Sequence, residues 1–517
     1  MSKYSFVDQT KKVHAPLFDL KYCSRCCMPE TEEGYSDDEH GMCRPCSSSE
    51  QKMHIDWVER SKMLEEILDK CQKQAGNNYD CIVPISGGKD SAFQLHVLTK
   101  VYKLKVLAVT YSHNWFSKTG WYNLMMSLDE FNVDHIMFTP NRDLVNRIAK
   151  KSLSMIGDSC WSCHAGVGAW PLHVATKYNI PVIIYGESIA ENASRGDYSQ
   201  LQFEYDKNYY TTFSAKKTPD EMLCSSLESK DLFIYQLPTD EEYEASQIKI
   251  IHLGDFIFWD DERQMEFIRD TYDWKETDIE NAYKGYKSAE CIMPGVHDFL
   301  CYLKRGWARA TFHASLDVRN GLLTRDEGFK LINSIDPQRP EVLDYYLKIT
   351  GIKEKDFYAT IKRNVSISLE GQEIPILPKA SKNKEILLPY PEQLIREHRD
   401  ELEIFELKAL CFDCGLEKNT NKGECEHCAN KKLKNFDGIK EYFKYVIKNS
   451  SDNYDCIVRL DDSWESAFML HLIKNIYNLK PLVITFDKFT FSEVGWFNIV
   501  NCLESFNVDQ ILSLIHI

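Results

Sequence analysis

The stretch Tyr79-Asp80-Cys81-Ile82-Val83-Pro84-Ile85-Ser86-Gly87-Gly88-Lys89-Asp90-Ser91 narrows the fold more than any other part of the chain. Its apolar half reads as a buried strand, and Ala92 to Leu98 behind it reads as a helix. Strand, glycine turn and helix N-terminus together make an anion cradle. Glycine lets the backbone approach a phosphate, and free N–H groups with the helix dipole favour negative charge. Ser86 and Ser91 add hydroxyl donors, and Lys89 adds a mobile cation. The spacing is not that of the Walker loop, whose two glycines stand about five positions apart before Lys-Ser/Thr.

The surrounding pattern continues the same architecture. Val106 to Thr110 reads as a second parallel strand ending at Tyr111-Ser112-His113, Leu124 to Phe131 as a helix, and Val133 to Phe138 as a third strand. Ile180 to Tyr185 is another buried strand, running into Gly186-Glu187. Alternating strands and helices predict an open parallel α/β sheet, with ligand contacts at the strand C-termini. Tyr111, Ser112 and His113 are therefore expected near a nucleotide. Asp90 is expected to meet magnesium, and Glu187 either to bind magnesium, to orient ammonia, or simply to cap a helix. Residues 196–245 read as a polar, aromatic insertion and 248–274 as partly helical, while 326–365 reads as helical.

Cysteine usage points to metal. The chain has 18 cysteines and lacks both a signal-peptide core and an apolar run of membrane-spanning length, so a cytoplasmic setting is expected. Cys23-x2-Cys26 and Cys43-x2-Cys46 have the spacing of a four-thiolate zinc ribbon of structural type, with Cys27 left over. Cys160 and Cys163, in Cys-Trp-Ser-Cys-His, form half of a second metal or iron–sulfur site, which a distant thiol such as Cys224 or Cys291 would complete. A structural turn with two packed cysteines is the plainer alternative. The formal net charge of -16 argues against a broad nucleic-acid surface.

The tail repeats the head. Cys411-x2-Cys414 and Cys425-x2-Cys428 form a second ribbon, and residues 453–509 match 78–134 at 26 of 57 positions without a gap. The repeat has lost its loop: Ser86-Gly87-Gly88-Lys89-Asp90 corresponds to Asp461-Asp462-Ser463-Trp464-Glu465. Carboxylates repel pyrophosphate, and Trp464 is expected to fill the space the glycines leave open. The expected organisation is a ribbon (20–50), an ATP-binding α/β domain (51–245), a helical substrate region (246–365), a proline-rich linker (366–405), a second ribbon (406–432) and a degenerate, truncated α/β repeat (433–517).

Lys304-Arg305-Gly306, Arg309 and Asp317-Val318-Arg319-Asn320-Gly321, with Arg325, concentrate positive charge in an acidic chain. Arginine grips carboxylate and phosphate bidentately, so Lys304, Arg305, Arg309, Arg319 and Arg325 are candidates for an anionic substrate; a solvated helical face is the plainer reading. The Ser-Gly-Gly-Lys-Asp-Ser loop resembles that of the PP-loop ATP pyrophosphatases of the adenine nucleotide alpha-hydrolase-like fold, which transfer AMP to a substrate oxygen. The order of ribbon, loop, Cys-Trp-Ser-Cys-His-Ala-Gly, Tyr-Gly-Glu-Ser, and the Lys-Arg-Gly and Arg-Asn-Gly block resembles the bacterial N-acetyl sugar amidotransferases (WbpG-like) over about residues 20 to 350. That resemblance implies an ATP-dependent C–N ligase of lipopolysaccharide or flagellin-glycan synthesis. Such an enzyme would convert an acetamido sugar to an acetamidino sugar, with Asp90, Lys89 and Glu187 as catalytic residues and ATP, Mg2+ and Zn2+ as cofactors. It also implies ammonia from separate glutaminase and cyclase-like subunits. The glycines often found after Gly-Glu in that family are replaced here by Ala193-Ser194-Arg195 before Gly196. A PP-loop tRNA thiolase with a ribbon and an iron–sulfur site is the alternative.

Overall fold

Four β-rich segments of the N-terminal part line up because each is apolar on both faces, as a sheet covered by helices requires. They are β1 (Cys81–Pro84), β2 (Val106–Tyr111), β4 (Val182–Tyr185) and β5 (Lys249–His252), in the order β5-β4-β1-β2 and all parallel. β3 (Asp134–Thr139) follows β2 in the chain after the helix Lys118–Phe131. β5 falls within 248–274, where the pattern suggests partial helix; the helix there begins only at Asp261, after a 3-10 turn at Leu253–Asp255. Burial pulled Ile250 and Ile251 into the sheet, where neither is more than 2% exposed. The computed structural model describes residues 18–190, 198, 203–209, 211–374, 376–377, 387–402, 441, 445, 453–487 and 491–514. The second ribbon, Cys411, Cys414, Cys425 and Cys428, and the Ala193 to Gly196 segment lie outside them.

The chain divides into two units, 1–135 with 145–389, and 136–144 with 390–517. In the first, β1 and β4 are neighbours, yet the chain leaves β1 for β2 on the opposite side. Their C-terminal ends therefore open onto the crevice that a doubly wound sheet makes where its winding reverses. Helices Pro294–Arg305, Arg309–Arg319, Arg325–Ile335, Val342–Thr350 and Glu354–Ile361 follow, with an apolar core of Phe299, Leu303, Tyr345, Tyr346 and Phe357, each fully buried. No helix among the described residues is long and apolar enough to cross a membrane.

The second unit repeats the first in detail. β6 (Cys456–Arg459) pairs with β7 (Pro481–Asp487) in the register of β1 with β2: Cys456↔Pro481 repeats Cys81↔Val106. β8 (Asp509–Leu514) pairs with β7 in parallel. The Asp80 carboxylate accepts from the Lys105 amide at 2.7 Å, and Asp455 accepts from Lys480 at 2.6 Å. Helices Lys118–Phe131 and Glu493–Phe506 both start on a serine cap and stop at a left-handed asparagine, Asn132 and Asn507. Even the π-helical turn after the loop helix recurs, at His96–Val101 and Leu472–Ile476.

One expectation about the repeat is corrected. Trp464 does not fill the lost loop: it is 65% exposed, at the first position of its helix. Asp462 takes the Gly87 position instead, and a side chain on Gly495 would begin 2.7 Å from its carboxylate. Asp461 is tied down by Ser463, whose amide donates to it at 3.1 Å. The altered loop thus closes on its own side chains, as Asp and Ser do in capping turns.

Candidate active site

The loop lies where β1 meets the helix Lys89–Leu95. Gly87 takes φ +87°, a conformation L side chains rarely adopt, and a Cβ there would collide with the Gly120 carbonyl and sit 3.0 Å from the Leu124 amide. Gly88 is the helix N-cap, and Ser91 Oγ donates back to its carbonyl at 2.9 Å. Ser86, Gly88, Lys89, Asp90 and Ser91 line a cavity of about 440 Å³. Tyr111 and His113 line it from the end of β2, and Glu187 from the end of β4. Ser112 is buried beside them, with its Oγ accepting from the Asn114 amide at 3.3 Å. The Gly87 carbonyl points the other way, accepting from Trp274 Nε1 at 3.0 Å.

The floor of the cavity is a knot of charge. Lys89 is 1% exposed, not mobile: its ammonium is paired with Asp90 and, at 2.8 Å, with Asp261. Lys287 bridges Asp261 and Glu187, each at 2.7 Å. Oxygens of Asp90, Glu187 and Asp261 all lie within 4.8 Å of one another, a hard-oxygen set of the kind magnesium prefers. Burial pushes the Asp90 carboxyl up to about 7; Lys89 opposes the rise, and Glu187 and Asp261 add to it. Asp261 is held well below the usual carboxylate range because both lysines outweigh its burial. Three carboxylates face two ammoniums, so the set is net negative when Asp90 is ionised and could take a divalent cation beside a polyphosphate.

His113 is neutral at pH 7, since burial lowers its pKa to about 4. Its Nδ1 accepts from the Trp115 amide at 3.1 Å, which puts the proton on Nε2, and Nε2 has no hydrogen-bond partner among the described residues. A buried N–H donor lining the loop's cavity suits a phosphate or carbonyl oxygen. Glu290 approaches the loop from above: its Oε2 lies 3.5 Å from where a side chain on Gly88 would start. Burial raises its pKa, with Arg309 opposing.

The four cysteines of the first ribbon could close around one metal ion. Cys23, Cys26, Cys43 and Cys46 are fully buried with all four sulfurs within 4.8 Å, and the Cys23–Cys46 and Cys26–Cys43 separations are 3.9 and 3.7 Å. These are the edges of a tetrahedron with Zn–S bonds of about 2.3 Å. Arg325 holds this ribbon rather than a cavity: its guanidinium donates to the Cys26 and Cys23 carbonyls at 3.1 and 2.9 Å. Arg319 is buried nearby, and Arg25 donates to its carbonyl. Cys27 packs against Gly328, its thiol pushed up to about 12 by burial. Cys43→Ser should therefore remove one zinc per chain and lower the melting temperature by at least about 5 °C, measured by metal analysis and calorimetry.

Of the remaining thiols, Cys160, Cys163 and Cys291 lie near enough for their charges to act on one another. Cys160 and Glu290 act on both Cys163 and Cys291, adding to the upward pull of burial. Cys224 is not among them; it lies by Ser226 in a separate short turn. Cys160 also groups with Asp158 and His297 within 4.8 Å, and His297 Nδ1 bonds Asp158 at 2.9 Å. One thiol, one imidazole and one carboxylate at this spacing could hold a transition metal.

Sequence reasoning missed Asp261, Lys287 and Glu290. Asp261 follows the helix-capping Asp260, which accepts from the Arg263 amide, so the pair reads as an ordinary helix start. Lys287 and Glu290 lie beside Cys291 and carry no motif of their own. Lys304, Arg305 and Arg309 line a second cavity, of about 260 Å³, and Arg309 lines both.

Residues 280–372 match the family described as LPS biosynthesis protein WbpG-like, C-terminal domain. An uncharacterized protein of Methanocaldococcus jannaschii, MJ1599, is 35% identical over 82 residues, which are 16% of this chain and 28% of that protein. The chain thus matches little more than a quarter of that relative's length. Among solved structures, the U34-tRNA thiolase NcsA from Methanococcus maripaludis with its 4Fe-4S cluster is similar at 13% identity and a TM-score of 0.24, over 62% of this chain and 85% of that one.

Proposed function

We propose that the protein is an ATP-dependent amidotransferase that converts a sugar acetamido group to an acetamidino group in surface-glycan synthesis. One observation carries this reading. The segment similar to the WbpG-like C-terminal domain, 280–372, supplies Lys287, Glu290 and Arg309 to the same cavity as the Ser-Gly-Gly-Lys-Asp-Ser loop. ATP lies with its pyrophosphate on Ser86 to Ser91. The acetamido oxygen attacks the α-phosphorus and pyrophosphate leaves, giving an O-adenylated imidate. Ammonia adds to the imidate carbon, the C–O bond breaks, and AMP departs with the oxygen. An amide is a poor electrophile, and AMP is a far better leaving group than hydroxide.

Within this scheme the chain's own groups divide the work. Asp90, Glu187 and Asp261 would hold a divalent cation, which supplies charge neutralisation to the phosphates when bound. Lys89 and Lys287 fix those carboxylates and counter the nucleotide's charge. His113 Nε2–H donates to an oxygen of the bound nucleotide, and Glu290 takes a proton from the incoming ammonia. Ammonia comes from a separate glutaminase with a cyclase-like partner.

A thiolase acting on tRNA has one specific feature in its favour, the nearness of Cys160 to both Cys163 and Cys291, three thiols that would hold the cluster. The two readings separate in one assay. Purified protein is incubated with ATP, magnesium, ammonium and a panel of diacetamido sugars, free and nucleotide-linked. AMP together with a sugar about one mass unit lighter is the expected result. AMP formed only with tRNA and a sulfur donor would transfer the protein to the thiolases.

A further inference from the structure

One carboxylate at the loop's cavity is unmatched. Asp90, Glu187 and Asp261 are each paired with Lys89 or Lys287. Glu290 lines the same cavity, and among the described residues its carboxylate pairs with no cation and accepts from no donor but its own amide. Its Oε2 stands over the glycines. A side chain begun on Gly88 would start 3.5 Å from that oxygen and 3.6 Å from Ser86 Oγ, so Glu290 and Ser86 face one spot. A carboxylate drawn from water without a partner is costly, so packing alone does not account for it.

The backbone that carries Glu290 is fixed. The Ser117 amide donates to the Glu290 carbonyl at 2.9 Å, and the Ile292 amide donates to the Trp115 carbonyl at 3.0 Å. Phe116 and Cys291 form an antiparallel bridge between these bonds. A Cβ on Gly120 would begin 2.2 Å from Glu290 Cα, so the helix Lys118–Phe131 packs directly on this backbone. Only the Glu290 side chain can yield to a ligand on the loop. Arg309 offers it another place: it lines the same cavity, and its charge already acts on Glu290. The Arg309 guanidinium is held there by Asp298 and by Ser288 Oγ, the latter at 3.0 Å.

We propose that Glu290 is an internal competitor for the pyrophosphate end of ATP: in the free protein it covers the Ser86–Gly88 part of the loop, and the arriving β- and γ-phosphates turn it away toward Arg309. The inference rests on the reading of the loop as the pyrophosphate cradle. Phosphates and a carboxylate carry like charge and repel one another at one spot. Binding is ordered as a result. The carboxylate that takes a proton from ammonia reaches its working position only once ATP is in place. One side chain thus weakens nucleotide binding and serves the later step, the cost of its displacement being drawn from the affinity for ATP.

Calorimetric titration of the full chain with magnesium-ATP, with pyrophosphate and with AMP, in the absence of sugar and ammonium, tests this. Glu290→Gln keeps the size and removes the charge. It should bind ATP and pyrophosphate about tenfold tighter than the parent, and AMP, which lacks the two outer phosphates, with the parent's affinity. Glu290→Asp keeps the charge on a shorter side chain and should fall between the two. Equal affinities of parent and Glu290→Gln for ATP and pyrophosphate would overturn the competitor, and so would a gain that AMP shares in full. Pyrophosphate bound by neither protein would remove the cradle and the competitor together. With sugar and ammonium added, the Glu290→Gln protein should form AMP at least about tenfold more slowly although it holds ATP more tightly, an opposition that a merely structural role does not produce. If the parent forms no AMP, the amidotransferase reading falls alone, and the binding titrations still decide the competitor.

Discussion

Gly87→Ala is expected to reduce pyrophosphate release by at least about a hundredfold while leaving a folded protein, as measured by a coupled phosphate assay beside a thermal melt. The argument is steric. Gly87 adopts φ +87°, and a methyl group there would strike the Gly120 carbonyl and press on Leu124. Neither neighbour can yield, because both belong to the helix Lys118–Phe131. The loop must therefore move. A left-handed backbone forced on alanine costs on the order of 1–3 kcal/mol, which a unit of this size tolerates. A displacement of about 1 Å in a group that positions phosphate costs about a hundredfold in rate. Near-normal turnover in the variant would mean that pyrophosphate does not rest on this loop.

Asp261→Asn should act on stability and on cation binding together. Asp261 accepts from Lys89 at 2.8 Å and from Lys287 at 2.7 Å, and its side chain is 11% exposed. Removing one partner from a buried pair leaves charge uncompensated, at about 3–5 kcal/mol. Asn keeps the shape and loses the charge, so a melt of the variant should fall accordingly. Magnesium affinity in the presence of ATP should drop by more than about tenfold. The pH dependence has a definite sign. Asp261 ionises well below the usual carboxylate range, so its contribution is present above about pH 4 and lost as the pH falls further. Parent and variant should converge in acid; a constant difference down to pH 2 would exclude the ion pairs as its source.

The strand, loop and helix around Gly87 were legible because their chemistry is local: periodicity, glycines and a helix start lie within twenty residues. The same holds for the ribbon, where Cys-x2-Cys spacing is itself the ligand geometry. Asp261, Lys287 and Glu290 were not legible. They come from 170 to 200 residues downstream, and only the folding of the helical region over β1 and β4 brings them to Lys89. Arg325 misled for a related reason: a guanidinium that satisfies the carbonyls of Cys23 and Cys26 looks, in sequence, like one awaiting a phosphate. Trp464 misled because bulk suggested burial, whereas its place at a helix start turns it to solvent.

The repeated unit is a substitution experiment already performed within one gene. Where the two halves agree, at Asp80 and Asp455, Ser117 and Ser492, or Asn132 and Asn507, the shared letters spell out what the backbone alone demands. Where they diverge, at Ser86 to Asp90 against Asp461 to Glu465, the strands still pair in identical register. The grammar of the scaffold and the vocabulary of the chemistry are therefore separable in this molecule. Grafting Ser86 to Ser91 onto positions 461–466 would ask whether the altered half can be made to hold a phosphate.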